Sequence, residues 1–140
     1  RRENFYKNKI NLIEFNYLNS NVKLNEINNL IGKIGVWSRW TDENHVNYCL
    51  DVCKTIDIGN EMLSSLRSFN SLKENPNQIL DTGWKRKYKK QLEDCKDGKI
   101  IFKLIAICET EEEALKIEAQ YAHENKAKYW NFDSKQNNLY

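Results

Sequence analysis

Proline is nearly absent from this chain, with one in 140 residues, and glycine is scarce, with five. Collagen-like and proline-rich linker architectures are excluded, and long regular elements with few interruptions are left. Histidine is also scarce, at two, and the four cysteines Cys49, Cys53, Cys95 and Cys108 form no C-x-x-C pair. A disulfide framework is therefore not expected, and the thiols read as reduced, in an intracellular, cytoplasmic setting. A zinc site would need those cysteines to converge with His45 and His123, and no spacing announces that. No apolar run approaches the roughly twenty residues of a membrane span, so no membrane partner is expected. Charge of one sign is missing too: 22 basic against 20 acidic residues leave a formal +2, which alone argues for neither nucleic acid nor lipid. The chain begins at Arg1 without a charged-then-apolar leader, which leaves its N-terminal context open, as its oligomeric state is.

What is present fits an ordinary core. A hydrophobic share of 40% with 30% charged residues suits one globular domain of this length. Ile10 to Leu18 is strand-like. Leu24, Ile27, Leu30 and Ile31 recur at helical spacing and predict a short helix ending near Gly32. Ile34 to Trp40 and His45 to Val52, rich in β-branched and aromatic residues, flank the turn-prone Thr41-Asp42-Glu43-Asn44 and predict a β-hairpin. A helix follows from Asp57, a capping residue, to about Leu72, and Asn75-Pro76-Asn77 breaks it. Trp84, Tyr88, Leu92 and Cys95 form the stripe of a second helix, closed by Asp97-Gly98. Ile100 to Cys108 reads as a central strand, and Thr110 with Glu113 opens a last helix running to about Asn125. The expected class is α/β of the α+β kind, a small mixed sheet built on a hairpin plus a third strand and flanked by helices. Residues 1–32 form an N-terminal extension with a short helix, and residues 33–140 the main domain.

Two features carry chemistry. A four-residue hairpin loop sets Trp40 opposite His45 and Trp37 opposite Tyr48, with Arg39 on the same sheet face as Trp37 by strand alternation. Such a face is either an aromatic cross-strand pair that stabilises the hairpin or part of a site. Glu118 is the sharper case. Its helical neighbours three and four positions away are Ala114, Leu115, Tyr121 and Ala122, so a carboxylate stands in the apolar stripe and must be paired, hydrogen-bonded or metal-bound. The helix around Trp84 bears Lys85, Arg86, Lys87, Lys89 and Lys90. They are either a solvated face or, with Arg67, a surface for a phosphate backbone.

Taken in order, Gly35-Val36-Trp37, Tyr48-Cys49-Leu50, the helix from Asp57, the strand ending at Cys108, Leu115-Lys116-Ile117-Glu118 and Trp130-Asn131 resemble the motifs of the GIY-YIG nuclease superfamily over roughly residues 33 to 132. The resemblance implies a metal-dependent endonuclease that hydrolyses phosphodiesters, in DNA ahead of RNA. Glu118 would hold a single divalent ion, Mg2+ or Mn2+, Tyr48 would act as general base or position the attacking water, and Trp37, Arg39 and Asn131 would complete the site. Three departures accompany it. Trp37 replaces a tyrosine and Leu50 a glycine, while Gly59 to Glu61 stand where the helix arginine belongs, with Arg67 about two turns further on. The other expectation is therefore a catalytically degenerate domain of this fold that binds nucleic acid or a protein without cleavage.

Overall fold

The computed structural model describes residues 14–16, 24–41, 47–95 and 100–132. Its elements run β1 (Glu14–Asn16), α1 (Leu24–Asn28), β2 (Ile34–Thr41), β3 (Cys49–Thr55), α2 (Ile58–Glu74), α3 (Gly83–Asp94), β4 (Ile100–Cys108) and α4 (Glu111–Asn125). The strands form one sheet in the order β1-β4-β2-β3, and each of these pairings is antiparallel. The fold is the small α+β domain expected, with a hairpin and a third strand flanked by helices; its sheet is antiparallel rather than mixed, and β1 adds a fourth strand beside β4. Asp42 to His45, the Asp97-Gly98 stop and most of the Ile10 to Leu18 stretch lie outside the described residues.

The sheet is covered on both faces. Val36, Val52, Ile105 and Ala106 pack against Ala114, Ile117, Tyr121 and Ala122 of α4. On the other face Trp37, Leu50, Phe102 and Leu104 meet Ile27 and Leu30 of the α1 segment and Ile58, Met62 and Phe69 of α2. A strand buried on both faces reads as a continuous apolar run, which is why β4 is legible from sequence.

Local signals set the ends. Asp57 caps α2, its Oδ1 accepting from the Asn60 N–H at 3.1 Å and from the Gly32 N–H at 2.8 Å, which ties the turn after α1 to the start of α2. Thr110 Oγ1 accepts from the Glu113 N–H at 3.2 Å and opens α4. Gly35 permits a close crossing, since a Cβ there would drive into the Ala106 carbonyl oxygen of β4. Among the described residues no helix is long and apolar enough to cross a membrane.

Candidate functional site

The hairpin register decides which side chains share a face, and it differs from the four-residue loop expected. Trp37 pairs with Cys53 rather than Tyr48, Gly35 with Thr55, and Arg39 with Asp51. Thr41 causes part of the shift. It extends β2, donating its N–H to the Tyr48 carbonyl at 3.0 Å while its Oγ1 accepts from the Tyr48 N–H at 3.0 Å, so the connection is longer than four residues. A bulge between Arg39 and Trp40 absorbs one more residue, Leu50, on β3. Tyr48 thus sits at the loop end of the hairpin, about 15 Å along the strand from Cys53 by strand rise.

Arg39 does share a face with Trp37, its guanidinium carbon 5.1 Å from the indole centroid. It is 2% exposed. Three of its five N–H donors are engaged inside the protein: Nε on Gln91 Oε1 at 2.9 Å, Nη2 on Asp51 Oδ2 at 3.0 Å and Nη1 on Cys53 Sγ at 3.4 Å. Tyr88 stacks over the guanidinium at 4.8 Å, and the Tyr88 ring itself lies on Phe69 at 4.3 Å. Lys87 Nζ makes a second ion pair with Asp51. Burial opposes the arginine's charge, but Cys53, Tyr88 and Asp51 outweigh it and hold its pKa above the ordinary value. So enclosed, the guanidinium is closed to a phosphate approaching from solvent.

Of the three positions where the helix arginine would fall, Gly59 is closed to a side chain, while Asn60 is exposed and Glu61 half-buried. A Cβ on Gly59 would lie 2.5 Å from the Ile31 nitrogen and 2.8 Å from the Ile27 carbonyl oxygen, because the α1 segment rests on the first turn of α2. Arg67 is exposed further along α2. Trp37 is fully buried and donates its indole N–H to Glu61 Oε1 at 2.8 Å, so the one polar atom it offers is also engaged.

Glu118 is half-buried rather than fully turned into the core. Its Oε2 accepts from the backbone N–H of Lys54 at 2.7 Å, on the outer edge of β3. Further down that edge the Lys128 and Tyr129 N–H groups reach the Cys49 and Leu50 carbonyls at 3.0 and 2.8 Å. Glu118 therefore helps to close a strand edge that would otherwise stay unpaired. Burial pushes its carboxyl above the usual range, against the Lys54 hydrogen bond, with Asp51 and Glu61 adding to the rise.

Tyr48 belongs to another cluster. Lys128 Nζ lies 5.8 Å from its ring and 2.8 Å from Asp94 Oδ2, which also accepts from the Tyr129 hydroxyl at 2.7 Å. Burial, then Asp94, raises the Tyr48 pKa, the wrong direction for a general base. Asn131 is exposed between Trp130 and Phe132, which pack edge-on at 4.9 Å. Tyr48, Arg39 and Glu118 thus do not converge on one open pocket.

No family model, curated protein or solved structure matches the chain.

The fit to a divalent ion rests on Glu118 alone. A magnesium site needs only one or two carboxylates besides water and phosphate, but Glu118 has one oxygen engaged, while Asp51 and Glu61 are held by Arg39 and Trp37. Among the described residues no group of three or more His, Cys, Asp and Glu side chains is placed to hold a metal.

The basic helix divides instead. Lys85 pairs with Asp81 at 3.1 Å, Lys89 donates to the Pro76 carbonyl at 3.3 Å, and Lys87 is held by Asp51. Arg86 and Lys90 have no ion-pair partner among the described residues; Arg86 Nη1 donates only to the Leu80 carbonyl at 2.9 Å. With Gly83, Lys87 and Tyr129 they line an open depression of about 380 Å³. Trp84, expected in the core stripe, is 47% exposed, and the fully buried residue of α3 is Gln91. The sequence pattern singles out neither Gln91 nor Asp51. Their signal was a polar residue in a buried phase: Gln91 stands three positions after Tyr88, and Asp51 lies between apolar Leu50 and Val52 in an apolar strand.

Proposed function

We propose that this chain is a catalytically silent domain of the GIY-YIG-like kind that binds nucleic acid through α3 and does not cleave it. The observation that carries the reading is how the cations are divided. Arg39, on the sheet face where phosphate chemistry would occur, is consumed by Asp51, Gln91 and Cys53, whereas Arg86 and Lys90 stand open on α3 around a depression. Phosphate contacts from such side chains supply sequence-independent affinity. The closed Gly59 position and the upward-shifted Tyr48 phenol weigh against catalysis. Four free thiols among the described residues suit a reducing, intracellular setting.

The test is a salt titration of binding to a labelled DNA oligonucleotide, comparing the parent with Arg86→Gln/Lys90→Gln. The slope of log affinity against log salt should fall by about one for each phosphate-contacting cation removed. An unchanged slope and affinity would remove α3 from the interface.

One observation favours a second reading, the metal-dependent endonuclease with Mg2+ or Mn2+. It is the half-buried, upward-shifted carboxyl of Glu118, of the type that clusters at active sites. That reading requires cleavage, and requires Glu118→Gln to abolish it.

A further inference from the structure

The depression on α3 has a wall that a purely electrostatic surface would not need. Tyr129 forms it, half-buried, at the point where the chain after α4 crosses back over the edge of β3. Its ring is fixed at both ends: the backbone N–H donates to the Leu50 carbonyl at 2.8 Å and the hydroxyl to Asp94 Oδ2 at 2.7 Å. The charge of Asp94 is matched by Lys128, 2.8 Å away, whose ammonium lies 5.3 Å from the Tyr129 ring centroid. A pre-positioned aromatic thus lines the same depression as Arg86 and Lys90, one turn apart on α3, with the neighbouring carboxylate neutralised.

We infer that this depression takes one unpaired nucleotide of a single-stranded nucleic acid, its base stacked on Tyr129 and its phosphate held by Arg86 and Lys90. The inference rests on the nucleic-acid reading and narrows it to a substrate class. A volume of about 380 Å³ falls within the range of small-ligand sites, roughly 300–1,000 Å³, and so suits a nucleotide rather than a duplex groove. In a duplex the base faces are covered by their neighbours and only phosphates and groove edges are offered; in a single strand every base has an open face for an aromatic ring.

The experiment uses the full chain and fluorescence anisotropy with a labelled single strand, the same sequence as duplex, and a free nucleoside monophosphate as competitor. The variants are Tyr129→Leu, which keeps bulk and removes the ring, and Tyr129→Phe, which keeps the ring and loses the Asp94 contact. Melting curves verify that both are folded. The single strand should bind more tightly than the duplex, Tyr129→Leu should lose about tenfold in single-strand affinity, the size of one base stack, and Tyr129→Phe should stay near the parent. Equal affinity for single strand and duplex, unmoved by Tyr129→Leu, overturns the inference and leaves a basic nucleic-acid face standing. A free nucleotide that competes as well as the oligonucleotide replaces the strand with a small-molecule site. Failure of both single strand and duplex to bind removes the nucleic-acid reading itself.

Discussion

Arg39 Nη2 and Asp51 Oδ2 meet at 3.0 Å with side chains 3% and 4% exposed, a buried ion pair joining the two hairpin strands. Asp51 keeps a second cation, Lys87, while Arg39 has no other carboxylate partner among the described residues. The two truncations should therefore differ. Asp51→Ala strands a buried guanidinium and should cost roughly 3–5 kcal/mol in urea unfolding, whereas Arg39→Met leaves Asp51 paired with Lys87 and should cost clearly less. Equal losses, or the reverse order, would show that the pair does not hold the hairpin as described.

Gly59 tests whether the missing arginine can be put back. Gly59→Arg places a Cβ against the Ile31 backbone and the Ile27 carbonyl, neither of which is the movable end of a side chain. The expected outcome is a loss of about 1–3 kcal/mol from overpacking, with no gain of cleavage. A variant that melts like the parent would mean that the α1 segment yields easily and does not close this position.

The helices α2 and α4 and the strand β4 were legible because capping residues and apolar period agree there. Asp57 and Thr110 start their helices as expected, and Ile100–Cys108 is bounded as read. The hairpin was legible as a hairpin but not in register, since a bulge and a longer connection shift pairing without altering composition. That shift separated Tyr48 from Trp37 and brought Asp51 to Arg39. Periodicity placed Glu118 within the apolar stripe, where it is only half-buried, and its partner, a backbone N–H on a distant strand edge, leaves no mark in sequence.

Glu118 gives a pH dependence with a definite sign. Its carboxyl is raised in the folded state, chiefly by burial, so the folded chain holds that proton more tightly than the unfolded chain does. The stability this confers is present at low pH and is lost as pH rises through the folded pKa. Glu118→Gln keeps an acceptor for the Lys54 N–H and never ionises. Relative to the parent it should gain stability progressively from mildly acidic to neutral pH in parallel denaturant titrations. A gap that stays constant or shrinks over that range would contradict the placement of Glu118.

Burial pushes the thiols of Cys49 and Cys53 up to about 12. Since the thiolate is the reacting species, alkylation of both at neutral pH should be slow in the native chain and fast after denaturation, as read by mass spectrometry. Rapid native labelling of Cys53 would show that the Arg39 cluster is open to solvent.

Binding without cutting is the central claim, and both can be read in one reaction. The chain is incubated with labelled single-stranded and duplex DNA and with RNA, in magnesium and separately in manganese, and bound and cleaved fractions are followed over time. The bound fraction should weaken in Arg86→Gln/Lys90→Gln, and no cleavage product should form in either metal. Product formed by the parent and lost in Glu118→Gln would contradict it and restore the endonuclease.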